Sequence, residues 1–491
     1  MATQYVDRIE FLSHPSGKGQ GKHHIVIVGA GIIGVCTAYY LTRHPDFDSS
    51  KHHITVIESK RVAGGASGKA GGLLAMWAFP QQIVPLSFQL HQELSDKYDG
   101  ETKWDYRRLT TVTLEADVQD VDGGTSQTVF DGGESYACKP PSANKKMRNP
   151  SRRSSAASGP AGSSGQAEQE RDKSATSGTY HNCNRSNVTE SIGTNIGAVE
   201  KETPVDQNPT NLPADLNWIK TNLVCDWSSL GGTGSTAQVH PFKFCHYLLN
   251  KAMETGAVDL ILGQVTEILF DDDCTACGVS YIPTMDNPEK QAKAKEVNIL
   301  DTRQIVLCMG PWTSKILPDC PISGLRAHSI TIKPSTGTVS PYAIFTELKV
   351  APNKYSSPEM YARKDEVYVC GEGDTLVELP ETTDAVEVVR EKCDELYHYV
   401  SKLSPNLSEG HVLKRQACYL PVLNVPTSSG PLIGETNVEG LYVASGHSCW
   451  GINNAPATGK IMSELLLEGE VKSADISSLD PVLYFDASIL D

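Results

Sequence analysis

The chain has 491 residues, 39% hydrophobic and 21% charged, which describes a soluble globular protein too long for one ordinary domain. The formal charge of −16 and a pI near 5.4 exclude nucleic acid or an anionic membrane as the main partner, since both call for basic surface. No uninterrupted apolar run reaches the roughly 18–20 residues of a membrane span, and the best candidate, Gly72–Leu90, is broken by Pro80 and Pro85.

Residues 1–23 lack an apolar stretch and carry Asp7 and Glu10, so they read as a tail and not as a secretory signal. His24–Val28 then reads as a strand, Ile32–Arg43 as a helix and Ile54–Ile57 as a second strand. Phe88–Tyr98 is helical in pattern, and Leu109–Leu114 alternates like a strand. From 117 to 211 the chain is rich in Ser, Gly, Asn, Thr and Gln, a composition that cannot offset its chain entropy and predicts a disordered insertion. A basic cluster inside it, Lys145 to Arg153, precedes Ser154 and Ser155 and is a candidate phosphorylation signal.

Past the insertion, the pattern predicts a helix at Pro241–Thr255 and strands at Leu260–Leu262, Val265–Phe270 and Gln304–Cys308. Strand-like runs fill Leu325–Val369, and Asp384–Leu403 is an amphipathic helix. A strand at Leu441–Ala444 leads to a helix begun by Pro456, and residues 472–491 read as a tail. Alternation at both ends around a strand-rich middle gives an α/β domain with a second, α+β domain. The thirteen cysteines follow no framework, and the lone pair Cys274 and Cys277 offers too few ligands for zinc. Reduced thiols and a cytoplasmic location are expected.

The densest chemical signal is HIVIVGAGIIGVCTAYYL. It places Gly29, Ala30, Gly31, Ile32, Ile33 and Gly34 between a strand and a helix, with Glu58 and Ser59 closing the second strand. The glycines permit a tight turn, close approach of a pyrophosphate and close helix packing, while Glu58 would hold a ribose through its hydroxyls. A second stretch of small residues, RVAGGASGKAGGLLAM, follows directly and suits an extended flavin dinucleotide better than a nicotinamide one. Near the other terminus GLYVASGHSCWGINNAPATGK repeats the strand, glycine loop and helix order, which would bring a helix N-terminus to the electron-accepting ring.

With VIVGAGIIG, ASGKAGGLL, GGTGSTAQVHP, VLCMGPW, GPLIGE and SGH…G…AP..GK taken together, the chain resembles the D-amino-acid-oxidase-like FAD-dependent oxidoreductases. The likeness is closest to the glycine oxidase and sarcosine oxidase branch and to fungal members known only as oxidoreductases. It implies a Rossmann-type FAD-binding domain (24–105, 235–317, 412–471) interleaved with an α+β substrate domain on a mostly antiparallel sheet (106–116, 212–234, 318–411). It also implies contacts to FAD from Ala66, Ser67, Gly71, Gly72, Leu73, Val265, Gly310, Trp312, Gly446, His447, Gly451 and Ile452, with His447 the candidate catalytic residue. The implied reaction oxidises a C–N bond of an amine or N-substituted amino acid, passing a hydride to flavin and then electrons to oxygen or another acceptor. A flavoprotein with a regulatory or scaffolding role in trafficking or assembly is the alternative.

Two departures matter. The arginine that holds a substrate carboxylate in the glycine oxidase branch is replaced by Leu420, before Pro421, and a second by Cys449. Arg326, Arg363, Arg415 and Lys460 are the available substitutes. Cys418 stands where sarcosine oxidases attach flavin covalently, but its surroundings do not match, so FAD is expected to be non-covalent.

Overall fold

In a computed structural model the described residues are 9–121, 212–428 and 430–488. The basic cluster and most of the proposed insertion lie outside them. Residues 117–121 do not behave as insertion: the strand Thr110–Asp117 runs to its end and Val118 behind it is fully buried.

The first layer is an eight-stranded sheet whose middle holds five parallel strands, in the order Val258–Phe270, His52–Glu58, His23–Val28, Gln304–Leu307 and Leu441–Ser445. Its strands are near-continuous apolar runs because both faces are covered. Ile25, Ile27, Ile54 and Val56 point into a core beneath the helices Ile32–Leu41, Pro241–Met253 and Gly451–Glu468, while Val26, Val28 and Ile57 point to the opposite core. That second core is closed by both segments read as tails. Leu12 pairs with the strand at Ile261, Ser16 N–H donates to Asp259 at 3.0 Å, and Ala487 is buried at the other end.

The second layer is a sheet in the order His411–Leu423, Ile322–Lys333, Val367–Asp374, Glu359–Ala362, Tyr342–Ala351, Thr110–Asp117 and Val224–Gly231. Every pairing along it is antiparallel except that of Tyr342–Ala351 with Thr110–Asp117. The helix Arg390–Leu403 covers its outer face. The helix starts six residues later than the periodicity predicts, because the Val386–Val389 run is extended and leads into it without a cap. A three-stranded sheet of Leu73–Ala75, Thr236–Gln238 and Arg107–Arg108, which no sequence pattern announces, begins directly after Gly71 and Gly72.

The last helix also differs from expectation. It opens at Gly451, and Pro456 lies inside it. Proline has no N–H for the carbonyl of Ile452 four residues back, a loss that ordinarily breaks a helix. Here buried His91, on the helix Val84–Tyr98, hydrogen-bonds that carbonyl through Nε2 at 3.0 Å. Two defects thus cancel across a helix pair. His91→Phe is expected to cost about 1–3 kcal/mol of unfolding free energy, the usual penalty for a buried unpaired carbonyl. Pro456→Ala should shrink that cost by restoring the backbone donor, which a denaturant-unfolding double-mutant cycle measures.

Candidate active site

The parallel strands end on a cavity of about 380 Å³. Its near wall is the glycine turn. Gly29 has φ +105°, and a Cβ there would lie 2.5 Å from the Cys308 carbonyl oxygen; one on Gly34 would lie 2.1 Å from the Gly29 oxygen. Gly34 is therefore a packing glycine that brings the helix onto the strand and stays out of the cavity. Gly31 is different. A Cβ there meets only Ser67 Oγ, at 3.1 Å, and would project into the space where the helix begins.

Glu58 is 8% exposed and lines the cavity. Its carboxylate accepts from Ala30 N–H and Lys60 N–H, each at 3.0 Å, and from the Ser59 hydroxyl at 3.2 Å. Burial nonetheless lifts its pKa above the ordinary carboxylate value. Val265 lines the same end, where a register shift between Val265 and Glu267 interrupts the strand ladder and leaves local backbone groups without cross-strand partners. An acid, a bulged strand and a glycine turn form a surface suited to a nucleoside diphosphate.

At the far end lie Gly310, Trp312, His447, Gly451 and Ile452. Gly310 has φ +57°, and its carbonyl accepts from Ser445 Oγ at 2.9 Å. His447 is 3% exposed, its Nε2 lies 3.0 Å from Thr458 Oγ1, and its Nδ1 has no partner among the described residues. Burial pushes its pKa down to about 3, so the imidazole is neutral.

The cavity thus gathers Gly29, Gly31, Ile32, Ile33, Glu58, Ser59, Ala66 and Ser67 with Val265, Gly310, Trp312, His447, Gly451 and Ile452. Ala30 and Gly34 support it from behind. Gly71, Gly72 and Leu73 do not line it: a Cβ on Gly71 would meet the Tyr361 ring of the second layer at 2.1 Å and one on Gly72 the Val239 oxygen of the first-layer core at 2.1 Å. Gly446, at φ +86°, turns the chain beside Ile322 and is likewise outside the lining.

One wall was invisible in the sequence. Glu381, Thr382 and Thr383, from the connection between the second sheet and its helix, reach across to the cavity. They are fastened by Trp312 Nε1, which donates to the Pro380 carbonyl at 2.7 Å, and by a Lys315–Glu381 ion pair. Nothing local in that segment signals the contact, which joins positions 68 residues apart.

Fold and cavity define a two-layer dinucleotide-binding oxidoreductase. A family model described as "FAD dependent oxidoreductase" (DAO) matches residues 24–128 and 223–465, and the chain belongs to that family. A Saccharomyces cerevisiae protein named "Putative oxidoreductase TDA3" is 58% identical over 98% of each chain, and a Schizosaccharomyces pombe relative, also named as an oxidoreductase, is 32% identical over 93% of this chain and 97% of its own. Among solved structures, iminodiacetate oxidase from Chelativorans sp. BNC1 superposes with a TM-score of 0.60 at 15% identity, covering 93% of this chain and 99% of the other. Glycine oxidase from Geobacillus kaustophilus gives 0.59 at 14%, covering 94% and 99%. These structural likenesses establish the fold. The protein is an FAD-dependent oxidoreductase, and no helix among the described residues is long and apolar enough to cross a membrane.

The two glycines separate experimentally. Gly34→Ala should fail to fold stably, since the added Cβ would lie 2.1 Å from the Gly29 carbonyl oxygen, whereas Gly31→Ala should fold with an apo-protein melting point near wild type and bind little flavin. Flavin absorbance and thermal unfolding check both. The buried histidines add a pH dependence. His24, His91, His240 and His447 are held at about 4, 4, 2 and 3 by burial, against 6.5 when unfolded. Because the unfolded chain takes up those protons first, stability should be full above pH 6.5 and fall as pH drops below it, by at most about 1.4 kcal/mol per pH unit for each histidine. A thermal-unfolding series from pH 8 to 4.5 tests the slope, which His447→Asn should reduce.

Proposed function

We propose that the enzyme oxidises a C–N bond of an amine or N-substituted amino acid, with FAD bound non-covalently along the cavity. The observation that carries this reading is continuity: one cavity runs from the Glu58–Val265 end, suited to adenosine, to His447, Cys449 and Leu420, where the strand-end loop meets the second sheet. Glu58 and Ser59 would hold the ribose, and the turn at Gly29–Gly31 with Ser67 the pyrophosphate. Gly310, Gly451 and Ile452 would border the ring. When bound there, FAD supplies the acceptor for a hydride equivalent, and the acceptor that regenerates it is oxygen or another oxidant. The neighbours' names point the same way, since glycine and iminodiacetate both carry a nitrogen beside an oxidisable carbon.

Cys418 supports the non-covalent assignment. It is 4% exposed, sits outside the cavity lining, and burial lifts its thiol to about 11, leaving almost no thiolate to attack a ring carbon. His447, neutral and buried, is suited to hydrogen-bonding the ring or the substrate and to no proton release near pH 7. The cysteine usage supports a cytoplasmic location.

The purified protein is expected to be yellow, to release its flavin on acid precipitation, and to bleach under anaerobic incubation with an amine. If dithionite reduces the flavin but no amine does, the regulatory or scaffolding role replaces this one. Flavin retained after acid precipitation and lost in Cys418→Ala would overturn the non-covalent assignment. His447→Asn should lower turnover without moving the acid limb of its pH profile, because His447 stays neutral throughout pH 5–8.

A further inference from the structure

Between the strand Val367–Asp374 and the helix Arg390–Leu403 the chain runs through 375–389 with no regular structure beyond the single turn Thr383–Ala385. Both roots of this strap are pinned to one strand of the second layer, Ile322–Lys333. Buried Arg326 pairs with Asp374 at 3.0 Å and with Glu387 at 2.7 Å, so a single guanidinium closes the base of the loop. Just beyond the second root, His328 Nε2 accepts from Val389 N–H at 3.0 Å.

The tip of the strap is fastened to the first layer, on both sides of the cavity. On one side the Pro380 carbonyl accepts from Trp312 Nε1, and Glu381 pairs with Lys315. On the other, Asp384 pairs with Arg61 at 2.9 Å, and Thr383 lies against the glycine loop. A Cβ on Gly64 would come 2.8 Å from Thr383 Oγ1, and one on Gly65 would come 3.6 Å from Thr383 Cγ2. Pro380 to Asp384 thus carries the chain from one wall to the other. The walls approach each other at this point, since the same Gly65 Cβ would lie 3.8 Å from the Trp312 ring. Gly64, Gly65, Trp312 and Thr383 all line the cavity. The seam is tight: Thr383 Oγ1 is buried, with no hydrogen-bond partner among the described residues.

Base and tip are held differently. The anchor at the base is a buried arginine, whereas Glu381, Asp384 and Arg61 at the tip are exposed, and exposed pairs are individually weak. Thr383 meets the glycine loop by van der Waals contact alone. A segment without regular structure, held firmly at its roots and lightly at its tip, is built to swing about those roots.

We propose that 375–386 is a latch across the cavity, hinged at Asp374 and Glu387, and that its opening governs how fast FAD enters and leaves. This rests on FAD lying along the cavity as proposed above. A cofactor stretched from Glu58 to His447 passes under the seam of Gly65, Trp312 and Thr383. Its two ring systems, wider than the chain that joins them, hold it there while the seam is shut. With the latch closed in free protein and complex alike, weakening the tip enlarges the open fraction of both. Entry and exit then quicken by the same factor while affinity stays put. A fixed wall behaves differently, because losing its contacts hastens exit alone.

The test mixes full-length apoprotein with FAD in a stopped-flow instrument for the entry rate, and transfers FAD from holoprotein to an excess of a second FAD-binding apoprotein for the exit rate. Arg61→Gln and Asp384→Asn each remove the same pair, and neither residue lines the cavity. Each should raise both rates about threefold, with the dissociation constant within twofold of wild type, and the double variant should add little to either. The two variants shift local charge in opposite directions, so a direct electrostatic effect on anionic FAD would move entry oppositely in the two. Trp312→Phe, which keeps a ring and drops the Pro380 bond, should raise both rates about fivefold; if it does not fold, the Arg61 and Asp384 variants decide alone. Entry unchanged, or moved in opposite senses by those two variants, overturns the latch. Gly31→Ala tests the cofactor placement separately. If it keeps wild-type flavin affinity, FAD does not lie along this cavity and the latch falls with that placement. If it loses flavin while Arg61→Gln and Asp384→Asn keep wild-type rates, the placement stands and the latch alone fails.

Discussion

The structure depends on how closely the helix Ile32–Leu41 approaches its neighbours. On one side Gly34 lets it settle onto the strand turn at Gly29. On the other, Gly459 of the last helix sits where a Cβ would come within 2.5 Å of the Cys36 backbone. Two glycines thus clamp one helix between the sheet and the helix Gly451–Glu468. The consequence is positional: the N-termini of both helices, at Gly31 and Gly451, are brought to the same cavity. A methyl group at either contact would move a wall of the site, because packed interiors have no slack to absorb it.

Electrostatics follow from the same compression. Glu58 is buried and kept within reach of three donors, which offset part of the cost of burying its carboxylate. His24, His91 and His447 are buried and neutral, and Arg326, Arg363 and Arg415 at the second sheet are each paired with a carboxylate. The cavity is therefore mostly apolar, with few charges at its ends, an environment in which each remaining polar group counts for more than it would in water.

What the sequence made legible was local. The glycine spacing, Glu58 and the strand-end loop at 446–452 are contiguous patterns whose chemistry is dictated by backbone geometry, and most of them meet in the cavity. What stayed hidden was made by pairs distant along the chain. Pro456 reads as a helix start because its missing N–H is harmless there; only His91, 361 residues from the carbonyl it binds, makes it acceptable in the interior. The terminal segments read as tails because single apolar residues such as Leu12 carry no periodicity, yet each finds a place against the sheet. Gly71 and Gly72 read as cofactor contacts because small residues allow close approach, but their close neighbours are Tyr361 and Val239 of the protein itself.

This division of labour has a consequence for how such a chain can change its chemistry. The first-layer wall of the cavity is mainly backbone and small side chains, where substitution collides with main chain. Groups that reach the cavity from the second layer, such as Tyr419 and Leu420, are side chains on a regular sheet, where replacing one residue changes charge or shape without altering the ladder that carries it. Leu420 and Cys449 are positions of this kind: both line the cavity, and where the resemblance to the glycine oxidase branch implies arginines they place uncharged side chains. A frame fixed by backbone collisions can therefore keep its glycines while the side chains at the rim of the cavity change.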